Sequence, residues 1–264
     1  MYKFNVEKVT KDLIEWIKVW FDGNAITQGN GVGCNAVIGI SGGKDSTVVA
    51  ALCVKALGKD RVIGVMMPNG VQKDISDSIK VCEFLGIKNY TINIEDSVNG
   101  VLNQMKKNGI EITEQTRTNL PARIRMSSLY GVSQSCNGRV ANTCNLAEDC
   151  VGFFSRWGDG VGDFSPLSDL TTVEILQIGD YLGLPYELVH KTPIDGLKTN
   201  ADGSYMTDEQ SLGVTYDDIH SYIRGDREID EHVYNVIFEK EKNNYFKLEP
   251  MPRFDVSYSD LYTE

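Results

Sequence analysis

The 264-residue chain carries 37 acidic against 26 basic side chains, a net charge of −11, with 41% apolar and 24% charged residues. That balance suits a folded domain with a full core and excludes a disordered chain. Its negative surface weighs against nucleic-acid or membrane-surface partners, because phosphates repel it.

Residues 1 to 22 interleave Lys3, Glu7, Lys8, Lys11, Asp12, Glu15 and Lys18 with Val6, Val9, Leu13, Ile14, Ile17 and Trp20. The spacing predicts an amphipathic helix over 5–22, not a signal-peptide apolar run. No segment approaches the roughly twenty apolar residues of a membrane span, so a cytoplasmic protein is expected. Ala36 to Ile40 predicts a buried strand, 46–57 an apolar helix stopped by Gly58, and 61–67 a second strand ended by Pro68, Asn69 and Gly70. A helix over 74–85 capped by Gly86 and a strand over 89–94 follow. Alternation of helices with continuously apolar strands predicts an α/β fold: a doubly wound parallel sheet with helices on both faces, in a single domain.

Further along, 113–134 reads as a helix with Thr113 as N-cap and a break near Pro121. Residues 139–142 read as a strand and 146–154 as a helix. The three glycines within 157–163 predict a mobile loop, and 193–208 a second flexible segment. Helices are expected at about 171–182, 216–224 and 229–242. The six cysteines include no C-x-x-C pair, and His190, His220 and His232 are scattered, so no zinc site is expected.

The most informative string runs from Gly39 through Ile40, Ser41, Gly42, Gly43, Lys44 and Asp45 to Ser46. It joins a strand to a helix N-terminus, where unpaired N–H groups and the helix dipole favour an anion. Two glycines allow close backbone approach, and the serines add hydroxyls. Asp45 among phosphate-binding groups reads as a Mg²⁺ ligand, since a bare carboxylate there would repel the phosphates. The string is not a Walker A loop, because Asp45 separates Lys44 from Ser46, and it is not G-x-G-x-x-G.

Ser-Gly-Gly-x-Asp-Ser after a strand resembles the signature of the ATP pyrophosphatase superfamily, whose members split ATP between its α and β phosphates and adenylate a carboxylate or carbonyl oxygen. Four further segments resemble NAD synthetases in particular. They are Asn119 to Met126, Asn142 to Glu148 with Gly152 to Gly160, Leu212 to Ile219, and Lys247 near the C-terminus. Asp163, Pro166 and Leu167 continue the likeness, which spans about 36–253.

The resemblance implies ATP bound by 39–46 with Thr143, Mg²⁺ on Asp45 and Glu148, and deamido-NAD held by Arg123, Arg156, Asp163 and Lys247. Asp159 or Asp163 is the expected catalytic base toward ammonium, beside Asp45. Thr172 and Ile194 stand at ATP-contact positions where the family carries Lys and Thr or Ser, and Phe246 at a dinucleotide position where it carries His. Lys191 or Lys198 is a candidate to replace the missing lysine. Arg125 is expected to pair with an acidic neighbour. Free ammonia is the expected nitrogen donor, and a homodimer is implied. The alternatives are a tRNA-modifying member of the superfamily and a non-catalytic ATP sensor.

Overall fold

The computed structural model describes residues 2–24, 33–72, 74–193 and 206–256. Asn35–Gly39 (β1), Val62–Met66 (β2), Lys88–Thr91 (β3) and Gly138–Val140 (β4) form one parallel sheet in the order β3-β2-β1-β4. β2 is buried along its whole length, which explains its continuous apolar run. Its side chains still divide by face. Val62 and Met66 pack with Ala36, Ile38 and Ile40, whereas Ile63 and Val65 pack with Val37 and Val140.

In chain order the first helices are α1 (Val6–Asn24), α2 (Lys44–Leu57), α3 (Ile75–Leu85), α4 (Glu95–Lys107), α5 (Glu114–Ser135) and α6 (Leu146–Val151). They are followed by α7 (Thr172–Tyr181), α8 (Tyr186–Val189), α9 (Asp208–Leu212), α10 (Tyr216–Arg224) and α11 (Glu231–Asn244). One sheet face is covered by α1, α2, α3, α7 and α8, through Ile17, Phe21, Val48, Leu52, Val81, Ile175 and Leu188. The other is covered by α5, through Leu129, Met126 and Tyr130, with α4 packed against it. A third apolar cluster joins α6, α9, α10 and α11 through Ala147, Leu212, Tyr216, Ile219 and Ile237.

The chain runs from β1 out to β3, then returns to the other side of β1 as β4. That reversal is the switch point of a doubly wound sheet, and ligands of such sheets sit where the loops leave its carboxyl ends. Among the described residues no helix is long and apolar enough to cross a membrane.

Several boundaries differ from expectation. α5 continues unbroken through Pro121, whose ring is buried; burial of the ring offsets the one backbone hydrogen bond it cannot donate. The helix expected over 146–154 stops at Gly152, which adopts φ 66 and leaves an Asn244 side chain where a Cβ would stand. Helices α4, α8 and α9 were not predicted. A buried Glu174 ties α7 to α10 and to the chain start: it accepts from Arg224 at 2.9 and 3.0 Å, from the Thr171 N–H at 2.7 Å and from the Tyr2 hydroxyl.

Candidate active site

β1 ends at Gly39, and the Ile40 N–H still bonds the Val65 carbonyl at 2.9 Å, so both residues belong to the sheet. Ser41, Gly42 and Gly43 then turn the chain into α2. Gly42 has φ +81, and a Cβ there would stand 2.8 Å from the Ser78 nitrogen, so no other residue fits. The serines brace the turn: their hydroxyl oxygens are 3.0 Å apart, Ser41 Oγ accepts the Gly43 N–H at 3.2 Å, and Thr47 donates to the Gly43 carbonyl at 2.7 Å. α2 has Gly43 as N-cap and no side-chain capping bond, whereas side chains cap α5, α6, α10 and α11. α3 and α4 also start without a side-chain cap, but only the first turn of α2 follows the Ser41–Gly43 turn, so its open N–H groups are the ones that turn offers to an anion.

Beyond β4, Asn142 Oδ1 accepts the Cys144 N–H at 2.7 Å, and Asn145 caps α6 through the N–H groups of Ala147 (3.0 Å) and Glu148 (3.1 Å). Glu148 returns a bond to the Asn145 N–H at 3.1 Å, closing a capping box. The same Asn145 donates its amide to Asp45 Oδ1 at 3.1 Å. One residue therefore ties together the two carboxylates expected to share Mg²⁺, each from a different side of the switch point. Lys44 is 5% exposed; its Nζ lies 2.9 Å from Asp45 Oδ2 and 5.1 Å from the centre of the Tyr216 ring. The Tyr216 hydroxyl donates to Asp208 Oδ2 at 3.2 Å.

Burial first, and the charge of Asp45 second, push the Glu148 carboxyl well above the usual carboxylate range, with Lys44 pulling the other way. Burial pulls the Lys44 ammonium down, but Asp45, Glu148 and Asp208 outweigh it and hold it above its ordinary value. Three acids thus share one ammonium, and two of them, Asp45 and Glu148, are joined through Asn145. Such a pair suits a small divalent cation that keeps phosphate oxygens and water as its other ligands. No cluster of three or more metal-ligating side chains occurs among the described residues. Thr143 lies in the same loop, half-buried. Thr172, at the start of α7, is 4% exposed, and its Oγ1 has no hydrogen-bond partner among the described residues.

A second group gathers where the 3-10 turn Tyr245–Lys247 meets residues 152–157. Lys247 Nζ donates to the carbonyls of Gly152 (2.7 Å) and Phe154 (3.2 Å), and burial holds its ammonium below the ordinary value. The Arg156 guanidinium lies 4.9 Å from the Trp157 ring centre and 5.5 Å from that of Phe246, and donates to the Glu249 carbonyl at 2.8 Å. Arg123 Nε reaches the Arg156 carbonyl at 3.2 Å. Four of the residues implied for the dinucleotide, Arg123, Arg156, Phe246 and Lys247, are thus neighbours.

Asp163 stands apart from them: its Oδ2 accepts the Val140 N–H at 2.7 Å and its Oδ1 faces the Tyr130 hydroxyl at 3.4 Å. Asp159 accepts the Ser155 N–H at 2.9 Å. It is hemmed in by protein although water reaches it; burial pushes its carboxyl up, partly offset by that hydrogen bond and by Arg125 and Lys247. Both carboxylates hold backbone in place, as turn-forming aspartates do. The glycines of 157–163 serve close packing: a Cβ on Gly160 would meet the Phe154 ring at 2.3 Å, and one on Gly162 the Asn142 nitrogen at 2.6 Å. Arg125 donates to the Met67 carbonyl at 2.9 Å, and the acidic neighbour whose charge reaches it is Asp159.

Lys191 is held by Asp74 (2.7 Å) and Asp77 (2.8 Å), beside the phosphate turn, since Asp77 abuts Gly42. Ile194, Lys198 and most of the segment 193–208 lie outside the described residues. Sequence reasoning missed Asn145, Asp208 and Tyr216. Asn145 carries a local signal, because Asn followed three residues later by Glu is a capping-box pattern; Tyr216 lies in the Leu212 to Ile219 segment of the family likeness without a role attached to it there, and Asp208 carries no local signal.

Known proteins resemble this chain along most of its length. The family model described as NAD synthase matches residues 24–251. The NH(3)-dependent NAD(+) synthetase of Pyrococcus furiosus is 38% identical over 216 residues, covering 82% of this chain and 77% of that one. The protein of the same name from Archaeoglobus fulgidus is 35% identical over 248 residues, covering 91% and 94%. The structure of NMN synthetase from Francisella tularensis superposes with a TM-score of 0.84 at 28% identity, covering 96% of this chain and 100% of that one.

Proposed function

Because the chain belongs to the NAD synthase family, we propose that it forms NAD from deamido-NAD, ATP and ammonia, releasing AMP and diphosphate. The observation that carries this reading is the pair Asp45–Glu148, joined through Asn145 at the uncapped first turn of α2. The nicotinate carboxylate attacks the α-phosphorus of ATP, the bond to the β-phosphate oxygen breaks, and diphosphate leaves. Ammonia then attacks the acyl carbon of the adenylate, AMP departs with the bonding electron pair, and a proton passes to solvent.

Mg²⁺ held by Asp45 and Glu148 would supply charge neutralisation for the leaving diphosphate. The chain's own contribution is positional. The first-turn N–H groups of α2 face the diphosphate oxygens, and donors fixed before the reaction cost no reorganisation when charge develops. Lys44 adds a buried positive charge behind Asp45. Arg123, Arg156 and Lys247 supply cations for the phosphates of the dinucleotide, with Phe246 as an apolar wall. Thr143, from the loop after β4, and Thr172, whose hydroxyl is buried without a partner among the described residues, are assigned to ATP on the family likeness. Asp163 and Asp159 position β4 and the turn at 155–160, and no proton transfer is assigned to them. A homodimer, expected from the family likeness, is checked by light scattering.

A second reading is favoured by the likeness to the Francisella tularensis protein: the same chemistry on nicotinate mononucleotide, giving its amide. One experiment separates the readings. The purified chain is incubated with ATP, Mg²⁺ and ammonium and either deamido-NAD or nicotinate mononucleotide, with AMP and the amide product quantified. Faster turnover of the dinucleotide is expected. AMP release independent of both acids would remove both readings. Glutamine in place of ammonium should give no product.

A further inference from the structure

Trp157 has φ +65, one of two non-glycine residues with positive φ among the described residues, in a turn whose neighbours Gly158, Gly160 and Gly162 are glycines. A bulky aromatic is poorly suited to that conformation. Two bonds hold the turn closed: Gly158 N–H to the Ser155 carbonyl at 2.8 Å, and Ser155 N–H to Asp159 at 2.9 Å. The strain secures no place in the core, because Trp157 is 51% exposed. Its ring instead lies over the Arg156 guanidinium, with Phe246 also against that cation and 53% exposed. The Arg156 Nε is buried and has no hydrogen-bond partner among the described residues. Strain kept at an exposed position beside substrate-binding cations marks a group that serves a ligand rather than the fold.

We propose that Trp157 is a substrate-binding residue: its indole stacks on a flat heteroaromatic ring of the pyridine-nucleotide substrate, while Arg156 backs the indole and turns its Nε–H to a substrate oxygen. The inference rests on the reading above. The ring is the nicotinate or, in the dinucleotide, the adenine; both offer the same planar π-face.

Trp157→Gly and Trp157→Phe test it. Glycine relieves the backbone strain, so Trp157→Gly should melt at or above the wild-type temperature while its KM for deamido-NAD rises about tenfold, the size of one lost base-stacking contact. The loss should fall on KM more than on kcat, and Trp157→Phe should restore most of it. A rise with both deamido-NAD and nicotinate mononucleotide identifies the pyridine ring; a rise with the dinucleotide alone identifies adenine. Unchanged KM for both acids in Trp157→Gly overturns the proposal, as does a lowered melting temperature with no rescue by Phe. Binding gives an independent readout. The other tryptophans, Trp16 and Trp20, lie on α1, so deamido-NAD should quench a fluorescence component that is absent from Trp157→Phe. That quench reports on stacking even if the wild-type chain fails to make NAD, which would sink the functional reading alone.

Discussion

Replacing Gly42 by Ala perturbs the phosphate turn at its tightest point. Two costs can be worked out. A left-handed backbone disfavours alanine by about 1–2 kcal/mol relative to glycine at the φ of +81 observed here. The new Cβ would also stand 2.8 Å from the Ser78 nitrogen and 3.1 Å from the Asp77 carbonyl carbon, both backbone atoms of α3 that cannot swing aside. Such overpacking costs about 1–3 kcal/mol, for a total of about 2–5 kcal/mol. Gly183 is the control: it has φ +69 with nothing within 4 Å of the place a Cβ would take, so Gly183→Ala carries the backbone cost alone. At about 2–4 °C per kcal/mol for a domain of this size, Gly42→Ala should melt several degrees below Gly183→Ala. Relief of the clash also moves the turn away from α3, and shifts near 1 Å in positioning groups cost about a hundredfold in rate. ATP affinity by calorimetry should therefore fall at least tenfold in Gly42→Ala and stay unchanged in Gly183→Ala. Equal melting temperatures for the two variants, or normal ATP binding by Gly42→Ala, would refute the argument.

Glu148→Gln keeps the bond to the Asn145 N–H but removes the competing charge, so NAD formation should fall at least about a hundredfold while the melting temperature without Mg²⁺ holds or rises; a metal dependence like that of wild type would argue against a ligand role. Thr172→Val replaces a buried, unpartnered hydroxyl with a methyl group, which should raise stability by about 1 kcal/mol and weaken ATP binding; unaltered ATP affinity would remove Thr172 from the nucleotide site. For Glu174, burial pushes the carboxyl up, but Arg224, Tyr2 and the Thr171 N–H outweigh it and hold it below its ordinary value of 4.5. A depressed acid contributes stability above pH 4.5 that is lost as pH falls through the lower folded value, so melting temperatures should drop more steeply below pH 4.5 in wild type than in Glu174→Gln.

The centre of the sheet was legible because its two middle strands are apolar and local: Ala36 to Ile40 and Val62 to Met66 need no distant context, whereas β3 is largely exposed and β4 is three residues long. α4 was not, because Asn99, Gly100 and Asn103 are poor helix formers and only Val98 is buried. Its signal was electrostatic instead, with Glu95 and Asp96 in the first turn and Lys106 and Lys107 in the last, matching the helix dipole. The phosphate turn was readable for the same reason as the strands: six consecutive residues carry it. The polar cluster around Lys44 was not, since Asp208 and Tyr216 arrive from segments more than 160 residues away in the chain, and only packing of α6 against α10 brings them there.

That cluster explains why a lysine can occupy the first position of α2, where the helix dipole opposes a positive charge. Asp45, Glu148 and Asp208 raise the ammonium enough to outweigh its burial. Lys44 is thus a counter-ion to the carboxylate pair before any metal or nucleotide arrives. Lys44→Met should leave those acids facing each other without it, and removing one partner of a buried pair costs about 3–5 kcal/mol. Without Mg²⁺ the variant should therefore melt well below wild type. Mg²⁺ supplies the same compensation from outside, so the metal should raise the melting temperature of Lys44→Met by more than it raises that of wild type. Equal shifts in the two proteins would mean that Lys44 and the metal do not answer to the same charges, and that the Asp45–Glu148 pair is not where the ion binds.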